Sequence, residues 1–60
     1  MTFQFVVERA DKPVASFAFK GHALDFATRI KEAGAIVAIY DTFNGVRVAS
    51  YDVFGKLHVN

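Results

Sequence analysis

Tyr40, Arg47, Tyr51, Lys56 and His58 all fall within the last 21 residues of the chain. Tyrosine and arginine are the side chains that most often anchor protein interfaces. The same types stack on bases and hold phosphates. Acid–base chemistry would have to come from Asp41 and Asp52, each directly after a tyrosine in a phrase that occurs twice, YDTFNGVRV at 40–48 and YDVFGKLHV at 51–59. An aspartate at such a strand end ordinarily accepts hydrogen bonds from nearby backbone N–H groups, so turn capping is the expected role. Hydrolysis needs a nucleophile, a base and an orienting acid. Ser16, Ser50, Thr2, Thr28 and Thr42 accompany His22 and His58, but no local motif joins them. Gly21, Gly34, Gly45 and Gly55 stand singly, so no phosphate-cradling loop is present. The expectation is a non-enzymatic protein without a cofactor or metal.

Bulk properties narrow the class. Sixty residues make a single domain, 1–60. A chain of this size buries only about 60% of its unfolded surface and has a narrow stability margin. It contains no cysteine, which removes disulfides and thiolate metal sites, and two lone histidines make a poor zinc set. Efficient packing or association must then stabilise it, and 53% hydrophobic residues with seven phenylalanines suit both; a homodimer is expected. A net charge of +1 fits neither a strongly basic nucleic-acid module nor an acidic DNA mimic. With no signal-peptide pattern and no apolar run near the roughly 20 residues of a membrane span, a complete cytoplasmic protein without membrane contact is expected.

The elements that position these side chains follow from periodicity. Phe3 to Glu8 alternates with period two, as does Val14 to Phe19, and Ala10-Asp11-Lys12-Pro13 between them supplies turn residues. These predict an antiparallel hairpin. From His22 to Ala33 the spacing of Ala23, Phe26, Ala27, Ile30 and Ala33 is helical, with Asp25 in the first turn, Lys31 in the last and Gly34 as terminator. Residues 35–40, 46–51 and 56–59 predict three further strands, and the repeated phrase becomes two successive turns of a meander. The predicted fold is α+β: a two-layer β-β-α-β-β-β arrangement, mostly antiparallel, with one helix packed on one face of the sheet.

Strict alternation then assigns faces. Phe3, Phe5, Val7, Phe17 and Phe19 point toward the helix, as do Val37, Ile39, Val46, Val48, Leu57 and Val59. Outward go Gln4, Val6, Glu8, Ser16, Ala18 and Ala38, then Tyr40, Arg47, Ala49, Tyr51, Lys56 and His58. The alanines would form a flat strip. The tyrosines and cations would meet across the last three strands, as a wetted sheet face or as a contact surface.

Ala27-Thr28-Arg29-Ile30, the apolar strands after it, Asn44-Gly45, Val48-Ala49-Ser50-Tyr51 and Gly55-Lys56 together carry a resemblance. This half of the chain resembles small phage-encoded proteins with a five-stranded sheet and one helix, some type I anti-CRISPR proteins among them. It departs from them in having Leu57-His58 where a tryptophan often stands, and in having fewer basic residues. The resemblance implies a host-targeting inhibitor that occupies a surface of a bacterial protein or ribonucleoprotein complex inside the host cell. Arg29, Arg47 and Lys56 are the positions it carries across. The partner-binding set is accordingly Tyr40, Arg47, Tyr51, Lys56, His58 and Arg29. Two alternatives are a nucleic-acid-binding regulator using the same aromatics and a purely structural homo-oligomer.

Overall fold

The computed structural model describes residues 3–31 and 34–59. The chain order is β1 (Phe5–Arg9), β2 (Lys12–Phe17), α1 (Lys20–Ile30), β3 (Val37–Asp41), β4 (Val46–Tyr51) and β5 (Leu57–Val59). The strands form one antiparallel sheet in the order β2-β1-β3-β4-β5. The helix packs on one face, over β1, β2 and β3. The expected α+β fold is therefore present, and the last three strands make the expected meander.

The first turn is tighter than expected. Arg9 pairs with Lys12, leaving Ala10 and Asp11 as a two-residue loop with φ of 53° and 66°. Positive φ at both central residues matches the twist of the flanking strands, which is why such loops favour this geometry. Pro13 accordingly lies inside β2 rather than in the turn, opposite Glu8. An extra residue, Val14, interrupts the ladder just after it, since Val7 faces Ala15 while Glu8 faces Pro13. Proline is tolerated there because β2 is an edge strand whose ladder is already broken.

The helix starts earlier and ends earlier than the periodicity suggests. Phe19 is its extended N-cap, with no side-chain cap, and no acidic residue occupies the first turn. Asp25 therefore lies beyond the reach of the N-terminal dipole and instead pairs with Arg29 at 3.0 Å, one turn on. After Ile30 the backbone becomes extended at Lys31, whose N–H donates to the Ala27 carbonyl. The expected helical positions 32 and 33 lie outside the described residues. Gly34, φ 94°, is left-handed but lies beyond the C-cap Lys31 and so does not terminate the helix as expected. It donates its N–H to the Val53 carbonyl, fastening the segment after the helix to the β4–β5 connection.

Val7, Val37 and Ile39 are fully buried on the helix side of the sheet, against Ala23 and Ala27. Two alanines at i and i+4 let the helix axis approach the strands, and Phe17 and Phe26 close one flank with ring centroids 5.3 Å apart. Each fully buried Val or Ile contributes on the order of 1.5–3 kcal/mol. Phe5 joins this core as expected. Phe3, Phe19, Val46, Leu57 and Val59 do not, being 42–66% exposed. They lie at the sheet end or on strands to one side of the helix, where one short rod cannot cover them.

The decisive departure is in β4. Ile39 faces Ala49, but its neighbour Tyr40 faces Arg47, so Val48 is an extra residue in the ladder. One inserted residue shifts the alternation by one, and every side chain beyond it changes face. Ala49 and Tyr51, expected outside, are 1% and 6% exposed in the core.

Candidate binding surface

The face opposite the helix is built of two rows, read directly from the register. The first runs Ser16, Val6, Tyr40, Arg47 across β2, β1, β3 and β4. The second runs Glu8, Ala38, Ser50, His58 across β1, β3, β4 and β5. Ala38 and Ser50 are only 6% and 7% exposed although no helix lies above them, because small side chains sink between larger neighbours. The result is a shallow floor with Glu8 at one end and His58 at the other. Tyr40 and Arg47 are directly opposed on adjacent strands, near enough for side-chain contact. Tyr40 is half-buried and Arg47 exposed.

Of the expected contact residues, this face brings together Tyr40, Arg47 and His58. Tyr51 is elsewhere. Its ring packs in the core and its hydroxyl lies 2.6 Å from Thr28 Oγ1 on the helix. Thr28 directs its one hydroxyl proton to the Leu24 carbonyl at 2.9 Å, so Tyr51 is the donor in their bond. The Lys31 ammonium sits 4.9 Å above the Tyr51 ring, a cation–π contact. Tyr51 thus ties the helix to β4. Arg29 belongs to the helix layer, on the other side of the sheet from Tyr40 and Arg47, and cannot share a contact patch with them. Lys56 is exposed in the β4–β5 connection, beside rather than within the two rows. The alanine strip does not form: Ala38 is on this face, Ala49 is in the core, and Ala18 lies beyond the end of β2.

The repeated aspartates do what their place in the phrase implies. Asp41 Oδ1 accepts the Phe43 N–H at 2.9 Å, and Asp52 Oδ1 accepts the N–H groups of Phe54 at 2.9 Å and Lys56 at 3.0 Å. Each aspartate also fastens a neighbouring strand through its second oxygen. Gln4 Nε2 donates to Asp41 Oδ2 at 2.9 Å, while Asp52 Oδ2 lies 2.8 Å from His58 Nε2. The His58 bond, followed by the Lys56 N–H, holds the Asp52 carboxyl below its ordinary range. Sequence reading missed the Asp52–His58 pair. The signal was present, since both residues flank one short hairpin and a histidine six positions on returns to the same face.

Among the described residues, no three His, Asp or Glu side chains gather as a metal site, and no helix is long and apolar enough to cross a membrane. Compared with known proteins, the chain matches no family model, no curated protein and no solved structure at a significant level.

Proposed function

We propose that this domain is a non-enzymatic binding module that acts by covering a partner protein with the sheet face opposite its helix. The observation that carries the reading is the opposed Tyr40–Arg47 pair beside the recessed Ala38–Ser50 floor. An aromatic and an arginine beside small, closely covered residues combine an anchoring ridge with a surface against which a partner can lie. The charge pattern favours protein over nucleic acid. Glu8 stands at one end of the floor and Asp52 at the other, beside His58, with Arg47 adjoining. Such a mixture lacks the continuous positive stripe that tracks a phosphate backbone. The resemblance of residues 27–59 to phage inhibitors, anti-CRISPR proteins among them, directs the search toward bacterial protein and ribonucleoprotein complexes as targets.

The test is affinity purification from bacterial extract, with and without nuclease, comparing wild type with Tyr40→Ala, Arg47→Glu and Arg29→Glu. The reading expects a nuclease-resistant protein partner that is lost with either sheet-face variant and kept with the helix variant. Retention by all three variants would remove this face from consideration. A partner that vanishes with nuclease, together with a low-salt gel shift that weakens steeply as salt rises, would establish the nucleic-acid alternative instead.

A further inference from the structure

The two edges of the sheet are protected very differently. The β2 edge carries Lys12, Pro13 and the extra residue Val14, three devices that discourage a further strand from pairing. β5 has none of these within Leu57-His58-Val59, and Leu57 and Val59 are 42% and 64% exposed. They lie in register with Tyr51 and Ala49, hence on the helix side of the sheet, on a strand that the helix does not cover.

The register also shows which backbone groups of β5 are unpaired by β4. The Asp52 N–H donates to the Lys56 carbonyl at 2.9 Å, and Ser50 faces His58. Bonded and non-bonded pairs alternate along an antiparallel ladder, so Ser50–His58 is the next bonded pair. The N–H and C=O of His58 therefore point toward β4, and those of Leu57 and Val59 point away from it, along the free edge.

We infer that β5 is a self-association edge: a second copy of the chain pairs with it antiparallel, about a two-fold axis passing beside His58. Every ladder in the sheet is antiparallel, and a strand meeting its own copy across such an axis is antiparallel by symmetry. The three residues are self-complementary in that register. Leu57 stands opposite the partner's Val59, and Val59 opposite the partner's Leu57, as hydrogen-bonded pairs that use every outward backbone group just described. On the helix side these two apolar side chains meet their counterparts and leave water. On the other side His58 faces the partner's His58, each held back by the Asp52 of its own hairpin. This edge shares only His58 with the Tyr40–Arg47 face and otherwise uses outward backbone groups and the helix-side Leu57 and Val59, so either proposal can fail without the other.

A three-residue edge buries far less than the roughly 800 Å² per partner of a standard interface, so the dimer is weak, with Kd of about 10 µM or higher. Sedimentation velocity over a concentration series spanning that range tests it on wild type, Val59→Pro and Lys12→Ala. Wild type is expected to move from monomer toward dimer mass as concentration rises, as is Lys12→Ala on the opposite edge. Val59→Pro removes an N–H that β4 does not use, so it is expected to keep the far-UV spectrum of the fold and remain a monomer. Amide exchange gives a reading that does not depend on that variant folding: the Leu57 and Val59 amides of wild type should gain protection as concentration rises. A wild type that stays monomeric throughout, a Val59→Pro chain that dimerises as wild type does, or unchanged exchange at those two amides would each overturn the inference.

Discussion

Replacing the two tyrosines of the repeated phrase one at a time should give opposite results, and the contrast tests the extra residue in β4. Tyr51 is 6% exposed, donates to Thr28 and underlies Lys31. Truncating a buried aromatic ring to alanine costs about 3–5 kcal/mol. At roughly 0.05–0.15 kcal/mol per residue, a 60-residue domain has a total stability of only about 3–9 kcal/mol. Tyr51→Ala should therefore leave a domain that is barely folded. Tyr51→Phe keeps the ring and loses the bond to Thr28, for about 0.5–1.5 kcal/mol. Tyr40 sits on the face away from the helix, where losing a cross-strand contact with Arg47 costs about 1 kcal/mol or less. Urea unfolding followed by circular dichroism separates these cases. With a slope near 1 kcal/mol per molar, Tyr40→Ala should lower the midpoint by about 1 M at most, while Tyr51→Ala loses most or all of the folded baseline. Equal losses from the two alanine variants, or a larger one at Tyr40, would refute the placement of Val48 as the inserted residue and the face assignment built on it.

Two further outcomes follow from turn chemistry. Ala10 holds φ 53° without the freedom of glycine, a conformation that disfavours L-residues by about 1–2 kcal/mol. Ala10→Gly relieves this and loosens the unfolded chain, for a net gain of about 0.5–1 kcal/mol, read as a melting temperature several degrees higher; a lower one would contradict the assigned turn. Asp52 titrates below its ordinary value of 3.8 because His58 and the Lys56 and Phe54 N–H groups favour its ionised form. A depressed folded pKa gives stabilisation that is complete above the unfolded value and lost as pH falls through the folded one. Wild type should thus lose urea resistance below about pH 4, where the unfolded carboxyl begins to take up a proton. Asp52→Asn should flatten that limb of the pH profile, and an unchanged limb would mean that the contact with His58 does not persist in solution.

Much of the architecture was legible because it depends on properties that survive small errors of register. The change of period after Phe19 marks the helix, and the Asp-x-Phe-Asn-Gly and Asp-x-Phe-Gly turns mark the meander. The surface was less legible because face assignment depends on parity. Nothing in Val46-Arg47-Val48-Ala49 distinguishes an unbroken strand from one with an inserted residue, since valine suits both faces and alanine both environments. Counting alternately from Arg47 put Tyr51 outside, and the error carried Ala49 with it. The exposed set failed for a different reason. Phe3, Phe19 and Val59 have the alternation of core residues, but an eleven-residue helix over β1, β2 and β3 has no length or width left to cover them.

The repeated phrase is therefore a repeat of turn chemistry and not of surface. Tyr51 ends β4 and Tyr40 stands one residue before the end of β3, and both following aspartates accept the N–H two residues on. Yet Tyr40 stands on the bare face and Tyr51 beneath the helix, because the inserted Val48 lies between them. The same step separates the aspartates. Asp41, paired with Phe5, reaches back to Gln4 next to β1, while Asp52 reaches forward to His58 on β5. In this way one local device, used twice with opposite parity, fastens the middle of the sheet at one end and its last strand at the other. A chain with so small a core gains from turns that also hold strands, and the inserted residue lets a single helix bury one tyrosine while the other remains available for contact.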